Sequence, residues 1–226
     1  GCGAEWLKRA NPVPHFRQKS GCWLIGQIMF FLMQANADVD ALARRAREER
    51  GFKHPIVAMH VRHGDRAQRG QAGALFDLDK YMEEAKKIAP GVRNILLMTE
   101  DQAVVDDTAK YPDYSFVYTA YPRLNLPIGP GIKDGTIDAR DELHNALLNL
   151  YMAVDSDYFV GGLGSSWARL VLMLSYGKYN CMPSHSTLGS SWSSKWEYGM
   201  CTTADYKDAV AHHTCKYTKT MKGTYK

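Results

Sequence analysis

The stretch from Gly51 to Arg66, GFKHPIVAMHVRHGDR, restricts the possible folds more than any other part of this chain. Its apolar residues Ile56 to Met59 are typical of a buried strand, and polar residues follow the strand at once. In open α/β sheets, ligands bind just past the carboxyl ends of the strands. The side chains at this end are His60, Arg62, His63, Asp65 and Arg66. Because arginine binds phosphate oxygens in pairs, this set indicates an anionic ligand that carries phosphate.

Strand-like and helix-like segments alternate along the chain. We predict strands at 56–61, 94–98, 114–118 and 158–160, and helices at 21–35, 38–50, from Asp77 or Asp79 to Ile88, 101–110, 141–156 and 165–176. Residues 119–138 are rich in proline and glycine and are predicted to form a long loop, and the pattern dissolves after about Pro183. This alternation predicts an α/β fold with a parallel, doubly wound, Rossmann-like sheet and flanking helices.

Charge and hydropathy exclude two classes of protein. The net charge is +4, but Lys and Arg alternate with Asp and Glu through residues 38–110, which argues against a nucleic-acid partner. The longest apolar run, Cys22 to Met33, has twelve residues, which is too short for a membrane span and suits a buried helix. The chain opens at Gly1 without a signal peptide, as expected for part of a longer polypeptide.

The five cysteines lack any C-x-x-C pair, which argues against a zinc site. Three of them, Cys181, Cys201 and Cys215, lie in the last 46 residues, where aliphatic residues are few. A segment with so small a core is stabilised by disulfides, which predicts an oxidising, secretory compartment. The odd count leaves at least one thiol free or paired elsewhere, and the pairing stays open.

A second candidate ligand corner is Gly161-Gly-Leu-Gly-Ser165-Ser166, where a predicted strand meets a helix. Glycines allow a ligand to approach the backbone, and serine hydroxyls and N–H groups at a helix N-terminus bind phosphate. The alternative is that a serine there simply caps the helix. Because both corners follow strands of one parallel sheet, we expect them at the same edge.

Carboxylates at other element ends have two interpretations each. Glu100 and Asp101 follow the second strand and can bind sugar hydroxyls, although Asp101 is equally placed to cap the next helix. Arg62 can pair with Asp65 to stabilise a turn instead of binding a ligand. Two D-x-D triplets, at 77–79 and 155–157, resemble metal-binding motifs, but both lie at helix ends, and we predict that neither binds a metal.

Together these residues resemble the α1,6-fucosyltransferases, the family that adds core fucose to N-glycans. The likeness covers about residues 22–176, and His60-Val-Arg62-x-x-Asp65 closely resembles the family's donor-binding segment. It also rests on Trp23-Leu-Ile-x-Gln27, Gly51-Phe-Lys-His-Pro55, Tyr81-Met82, Thr99-x-Asp101, Ala109-Lys-Tyr-Pro-Asp-Tyr-x-Phe116, and Asp157-Tyr-Phe-Val160 through Ser165 and Arg169. The resemblance implies the GDP-fucose-binding half of a GT-B-like transferase that needs no metal or other cofactor and inverts the sugar.

By this resemblance Arg62 binds the β-phosphate of GDP-fucose, and His60 contacts the guanine through its backbone. Asp65 would position Arg62, and Arg66 stands where the family has a lysine. The remaining implied ligand contacts are Tyr81, Asp101, Ser165 and Ser166. The implied acceptor is a glycan or glycoprotein in the Golgi lumen or outside the cell.

The chain also departs from the family pattern. His63 stands in place of a second arginine, which makes one positive charge dependent on pH. The first of two adjacent carboxylates after the second strand is Glu100. Asn149 replaces the aspartate that binds guanine, so one acceptor of a pair is lost. The family's catalytic glutamate is absent from residues 67–74, and Asp77 or Asp79 is the only nearby substitute.

These departures leave two functions open. The first is a fucosyltransferase-like enzyme, and the alternative is an inactive domain that acts as a structural or glycan-binding subunit. We divide the chain into a helical segment at 1–50, a nucleotide-sugar domain at 51–183 and an irregular extension at 184–226. The family's N-terminal half is not recognisable, and we expect it in a missing part of the polypeptide or in another chain.

Overall fold

A five-stranded parallel sheet organises this chain, in a computed structural model that describes residues 21–63, 75–123, 128–189, 201, 203–212, 214 and 215. The strands are β1 Ile56–Val61, β2 Asn94–Thr99, β3 Ser115–Val117, β4 Tyr158–Gly161 and β5 Ser184–Thr187, in the order β3-β2-β1-β4-β5. The helices are α1 Gly21–Leu32, α2 Ala37–Glu49, α3 Leu78–Ile88, α4 Gln102–Asp106, α5 Ile128–Lys133, α6 Ala139–Val154, α7 Ser166–Tyr179 and α8 Thr203–His212.

The central strand β1 is buried along its whole length because helices cover both faces of the sheet. Ile56 and Ala58 face a core shared with α1, α2, α6 and α7. Val57, Met59 and Val61 face a second core, formed with α3 and α4. The two cores follow from the alternation of side chains along a strand. The predicted Rossmann-like sheet with flanking helices is therefore confirmed.

Helix α1 packs on α7 through two glycines. A Cβ atom added to Gly177 would lie 2.1 Å from the carbonyl oxygen of Gly26, so the helix backbones are in direct contact. Gln27 Nε2 also donates to the Gly177 carbonyl at 3.0 Å. The prediction of a buried helix holds for this face only, since Phe31 and Leu32 on the opposite face are 73% and 69% exposed.

Two segments differ from the predictions. Residues 119–138 contain α5, which the pattern missed because Gly129, Pro130 and Gly131 lie inside it. Residues 184–187 form β5, so the extension predicted to be irregular contributes an edge strand to the sheet, and it also contains α8. The strand sequence SHST has no apolar residue, which is why no periodicity revealed it.

Two disulfides, Cys22–Cys201 and Cys181–Cys215, confirm the prediction that disulfides stabilise the cysteine-containing C-terminal segment. The first attaches Cys201 to α1, and the second attaches Cys215 to the segment that leads into β5. Cys2 lies outside the described residues. No described helix combines the length and apolar composition that a bilayer crossing requires.

Candidate functional site

The direction in which successive strands are added to this parallel sheet reverses between β1 and β4, at the centre of the sheet. β2 and β3 follow on one side of β1, and β4 and β5 lie on the other, so the connections leave this edge in opposite directions. Such a switch point opens a crevice at the carboxyl ends of the strands. His60 is in register with Gly161, which brings the two predicted corners together at one edge.

A cavity of about 340 Å³ opens at this edge. Its lining includes four residues that the sequence singled out: His60, Arg62, Glu100 and Asn149. It also includes side chains that no motif in the sequence indicates, among them Arg123, Glu142 and Trp167. The cavity therefore has cationic groups at the end of β1 and carboxylates on the walls formed by β2 and α6.

Arg62 is next to a carboxylate in this cavity. Its Nε atom lies 3.6 Å from Glu100 Oε1, which is an ion-pair distance but too long for a hydrogen bond. Burial raises the pKa of Glu100 although the charge of Arg62 acts in the opposite direction. Among the described residues, Glu100 Oε1 has no hydrogen-bond partner. A positively charged side chain and a poorly solvated carboxylate thus share the rim of the cavity.

His63 contacts two acceptors at the same edge. Its Nδ1 lies 2.8 Å from Asp101 Oδ2, and its Nε2 lies 3.0 Å from the carbonyl oxygen of Phe76. The other carboxylate oxygen, Asp101 Oδ1, accepts from the N–H of Ala103 at 2.9 Å and caps α4. The capping interpretation of Asp101 is therefore correct, and the same side chain also binds His63.

Asn149 presents an acceptor on the α6 wall. Its Nδ2 donates to the Asn145 carbonyl at 3.0 Å and to Asn145 Oδ1 at 2.9 Å, which fixes the orientation of the amide. Its Oδ1 is buried and has no hydrogen-bond partner within the described ranges. Glu142 lies two turns earlier on the same helix face, and burial raises its pKa. This wall is rich in acceptors, which suits a ligand rich in N–H and O–H donors.

The β4–α7 corner is held by a buried arginine. Arg169 is 4% exposed and donates to the Leu163 carbonyl at 2.8 Å and to Ser166 Oγ at 3.1 Å. Ser165 occupies the N-cap position of α7 without a side-chain cap bond, and Trp167 reaches the cavity wall. The N-terminus of α7 is thus fixed next to the end of β1.

Two predicted site residues are not described, and five others do not line the cavity, namely His63, Tyr81, Asp101, Ser165 and Ser166. Tyr81 is 3% exposed on the inner face of α3, within the second core, and does not line the cavity. Asp65 and Arg66 lie outside the described residues, as does the whole 67–74 stretch where the family's glutamate would stand. Nothing in the described structure therefore bears on the roles predicted for these two side chains or on a catalytic base there.

The D-x-D triplets are engaged in other contacts. Asp77 occupies the N-cap position of α3, and Asp79 accepts from Tyr111 Oη at 2.7 Å. Asp155 binds Arg47 at 2.6 Å, and Asp157 accepts from His54. Within the described ranges, no three His, Cys, Asp or Glu side chains are grouped to hold a metal.

Arg123 is the main residue that the sequence did not reveal. Its guanidinium donates to the carbonyl oxygens of Thr99 and Thr119, each at 3.1 Å, and so joins the ends of β2 and β3. It lies in the segment whose proline and glycine content predicted only a loop. Its position six residues after β3 ends would have been the one available signal, because that point belongs to the same sheet edge.

Comparison with known proteins relates this chain to a family of transferases. The sequence model of the family described as alpha-(1,6)-fucosyltransferase N- and catalytic domains matches residues 9–122, half of the chain. The fucosyltransferase NodZ from Bradyrhizobium is 21% identical, with 62% of this chain and 42% of that chain covered and a TM-score of 0.38. POFUT1 in complex with GDP-fucose is 10% identical, with 74% and 49% covered and a TM-score of 0.50.

The chain spans less than half the length of either solved structure, and the likeness to POFUT1 is one of fold. The α/β architecture found here agrees with that fold. The matched family region contains β1, the Arg62 corner, β2, α4 and β3, which form one wall of the cavity. The chain therefore belongs to the α-(1,6)-fucosyltransferase family.

Proposed function

We propose that this chain is the donor-binding half of a fucosyltransferase and that it binds GDP-fucose in the cavity at the carboxyl edge of the sheet. The observation that carries the proposal is the position of Arg62, at the end of the central strand, on the cavity wall and next to the N-terminus of α7. Family membership and the GDP-fucose bound to POFUT1 give the ligand's identity its support.

The proposed roles follow from the chemistry of each group. Arg62 binds the diphosphate, and Ser165, Ser166 and the first N–H groups of α7 approach it from the other side of the crevice. His60 lies beside the base, and Asn149 offers it one acceptor. Glu100 and Asp101 orient the cations rather than bind a metal. Asp65 is proposed to position Arg62, Arg66 to add positive charge, and Tyr81 to support α3.

Transfer at this site requires no group beyond the two substrates and the protein. The acceptor hydroxyl oxygen forms a bond to the anomeric carbon while the bond from that carbon to the diphosphate oxygen breaks, and the configuration inverts. The electron pair of the broken bond leaves with GDP, where Arg62 stabilises the developing charge. The hydroxyl proton passes to a base, which is not assigned among the described residues.

The partners and the location of the protein are part of the proposal. The acceptor is a glycan or glycoprotein, bound with the help of the transferase half that this chain does not include. Two disulfides favour an oxidising compartment, which agrees with the Golgi lumen or the extracellular space. The domain division at residue 183 is proposed in amended form, with β5 assigned to the nucleotide-sugar domain.

Calorimetry with GDP-fucose and GDP on the wild type and on Arg62→Ala tests the proposal. We expect the variant to bind roughly ten- to a hundredfold more weakly, because a charge-assisted pair of hydrogen bonds is lost. Arg44→Ala is the matched control, since Arg44 is a solvent-exposed arginine whose partner is a helix neighbour. If the wild type fails to bind either ligand, or Arg62→Ala binds as well as the wild type, the proposal is wrong.

A second function is favoured by one observation, the absence of any carboxylate from residues 67–74. In that case the chain binds GDP-fucose or a glycan without transferring the sugar. Incubation with GDP-fucose and a panel of N-glycans separates the two functions. If the complete polypeptide binds GDP-fucose but neither hydrolyses it nor transfers the sugar, the chain is the inactive domain.

A further inference from the structure

His63 is the second histidine of the central strand end, and it does not line the cavity. We propose that His63 is a positioning residue whose imidazolium form keeps Arg62 available to the diphosphate, so that donor binding weakens when His63 loses its proton. This inference rests on the proposed donor site and adds regulation by pH to it.

The hydrogen-bond partners of His63 determine its protonation state. The carbonyl oxygen of Phe76, 3.0 Å from Nε2, can only accept a hydrogen bond. The carboxylate of Asp101, 2.8 Å from Nδ1, also accepts, and its other oxygen already accepts from the backbone of α4. Both ring nitrogens must therefore donate, and a neutral imidazole has only one N–H. Only the doubly protonated ring can donate to both the Phe76 carbonyl and the Asp101 carboxylate.

The charges around His63 explain how it affects Arg62. The described groups that act on the ring are the Phe76 carbonyl before α3 and the carboxylates of Glu100 and Asp101 between β2 and α4. Arg62, on the same strand end as His63, lies 3.6 Å from Glu100. Among the described side chains, protonated His63 adds a positive charge beside the carboxylates of Glu100 and Asp101. When the proton leaves, Glu100 and Asp101 lose one neighbouring positive charge, so Glu100 attracts the Arg62 guanidinium more strongly and this part of the rim becomes more negative. An incoming diphosphate is then repelled.

His63 also has a mechanical role at this edge. One imidazolium joins the end of β1 both to the cap of α4 and to the chain that enters α3. Loss of the proton removes one of these two bonds, because the remaining N–H can serve only one acceptor. The side chain is 18% exposed, so water replaces the lost bond poorly.

The direction of the pKa shift agrees with this geometry. Burial lowers the pKa of His63, but the hydrogen bonds to the Phe76 carbonyl and the Asp101 carboxylate outweigh burial and raise it above the ordinary value of 6.5. The proton is therefore held below and somewhat above pH 6.5, and it is released as the pH rises through the raised value. Donor binding is expected to follow the same curve.

The experiment is a calorimetric titration of GDP-fucose between about pH 5.5 and 8.5, on the wild type and three variants. GDP-fucose suits this test because neither of its phosphates carries a proton that titrates in this range. We expect the wild-type affinity to fall roughly three- to tenfold across the range. His63→Gln should bind weakly at every pH, and His63→Arg, with a permanent charge, should bind with little pH dependence.

His54→Gln is the matched control. His54 also pairs with an aspartate at 2.8 Å, but at the opposite edge of the sheet, so this variant should keep the wild-type pH profile of binding. Thermal unfolding of each variant establishes that it is folded. An NMR titration of the His63 ring protons measures its pKa in the wild type without any ligand.

The outcomes separate this inference from the proposed function. If the wild type binds GDP-fucose with an affinity independent of pH, or His63→Gln keeps the wild-type profile, the inference is wrong and the donor site stands. If the wild type binds no GDP-fucose at any pH, the proposed function and the inference fall together. A His63 pKa below 6.5 in the NMR titration overturns the inference regardless of binding or of the folding of any variant.

Discussion

Each edge of the central sheet carries a histidine paired with an aspartate at 2.8 Å, and the two pairs have different surroundings. At the amino edge, His54 contacts Asp157 just before β1 and β4 begin. At the carboxyl edge, His63 contacts Asp101 just after β1 and β2 end. The pairs are chemically alike. What differs is their surroundings, because only the second pair lies at the edge where the cavity opens.

At the amino edge the hydrogen bonds around this pair connect the starts of two neighbouring strands. Asp157 Oδ2 accepts from the N–H of Ile56 at 2.5 Å, and the N–H of Asp157 donates to the Ile56 carbonyl at 3.0 Å. Every one of these bonds joins the start of β1 to the start of β4. At the carboxyl edge Arg62 and Glu100 are only 3.6 Å apart without a hydrogen bond between Nε and Oε1. A histidine–aspartate pair thus connects two strand starts at one edge and borders the cavity-lining residues Arg62 and Glu100 at the other.

The largest effect is expected from a substitution that removes the hydrogen bonds between β1 and β4 at the amino edge. Asp157→Ala leaves the N–H of Ile56 buried without its partner and removes the anion that His54 contacts. We expect the free energy of unfolding to fall by about 2–3 kcal/mol, measured by urea denaturation. GDP-fucose affinity per folded molecule should stay at the wild-type value. A loss of affinity of the same size as after Arg62→Ala would show that the two edges are not independent.

A smaller effect is expected at the acceptor wall of the carboxyl edge. In Asn149→Asp, a carboxylate can accept from both the ring N–H and the amino group of guanine, whereas the amide offers one acceptor. We expect the preference for GDP over inosine diphosphate, which lacks that amino group, to rise by roughly three- to tenfold. Competition binding measures this ratio. An unchanged ratio would mean that Asn149 does not contact the base.

The smallest effect concerns pH and the amino edge. The hydrogen bond from Asp157 raises the pKa of His54 above its ordinary value of 6.5. Because the folded state then binds the proton more tightly, His54 contributes stability below pH 6.5, and this contribution disappears as the pH rises through the raised value.

The free energy of unfolding of the wild type should therefore exceed that of His54→Gln only on the acidic side of this window. The difference should stay below about 1 kcal/mol, since His54 is half exposed and solvent screens the pair. Denaturation curves at several pH values give the difference. A constant difference across the range would indicate that the contact acts through packing alone.

The predictability of each strand followed from its apolar content. β1 was predictable because both of its faces are buried, which demands an unbroken apolar run at Ile56 to Met59. β5 was not, because an edge strand that is half-buried throughout is specified mainly by its main-chain bonds to β4. Helix α5 was missed for the opposite reason, since Gly129, Pro130 and Gly131 argue against a helix that forms nonetheless.

The site was predictable only as far as topology allows. The positions of Arg62 and Ser165 at one edge follow from the rule that parallel strands end together. The contact of His63 with Asp101, 38 residues later, depends on side-chain rotamers that no spacing in the sequence encodes. The same holds for Arg123, whose bonds to Thr99 and Thr119 are visible only in three dimensions.

The disulfide between Cys22 and Cys201 has a consequence for how the intactness of this protein is judged. It closes a covalent ring that contains every strand of the sheet and every residue that lines the cavity. A single break of the main chain anywhere in that ring leaves the two pieces joined. Protein that migrates at full length in a gel without reductant can therefore carry a severed cavity wall, and only reduction separates the fragments.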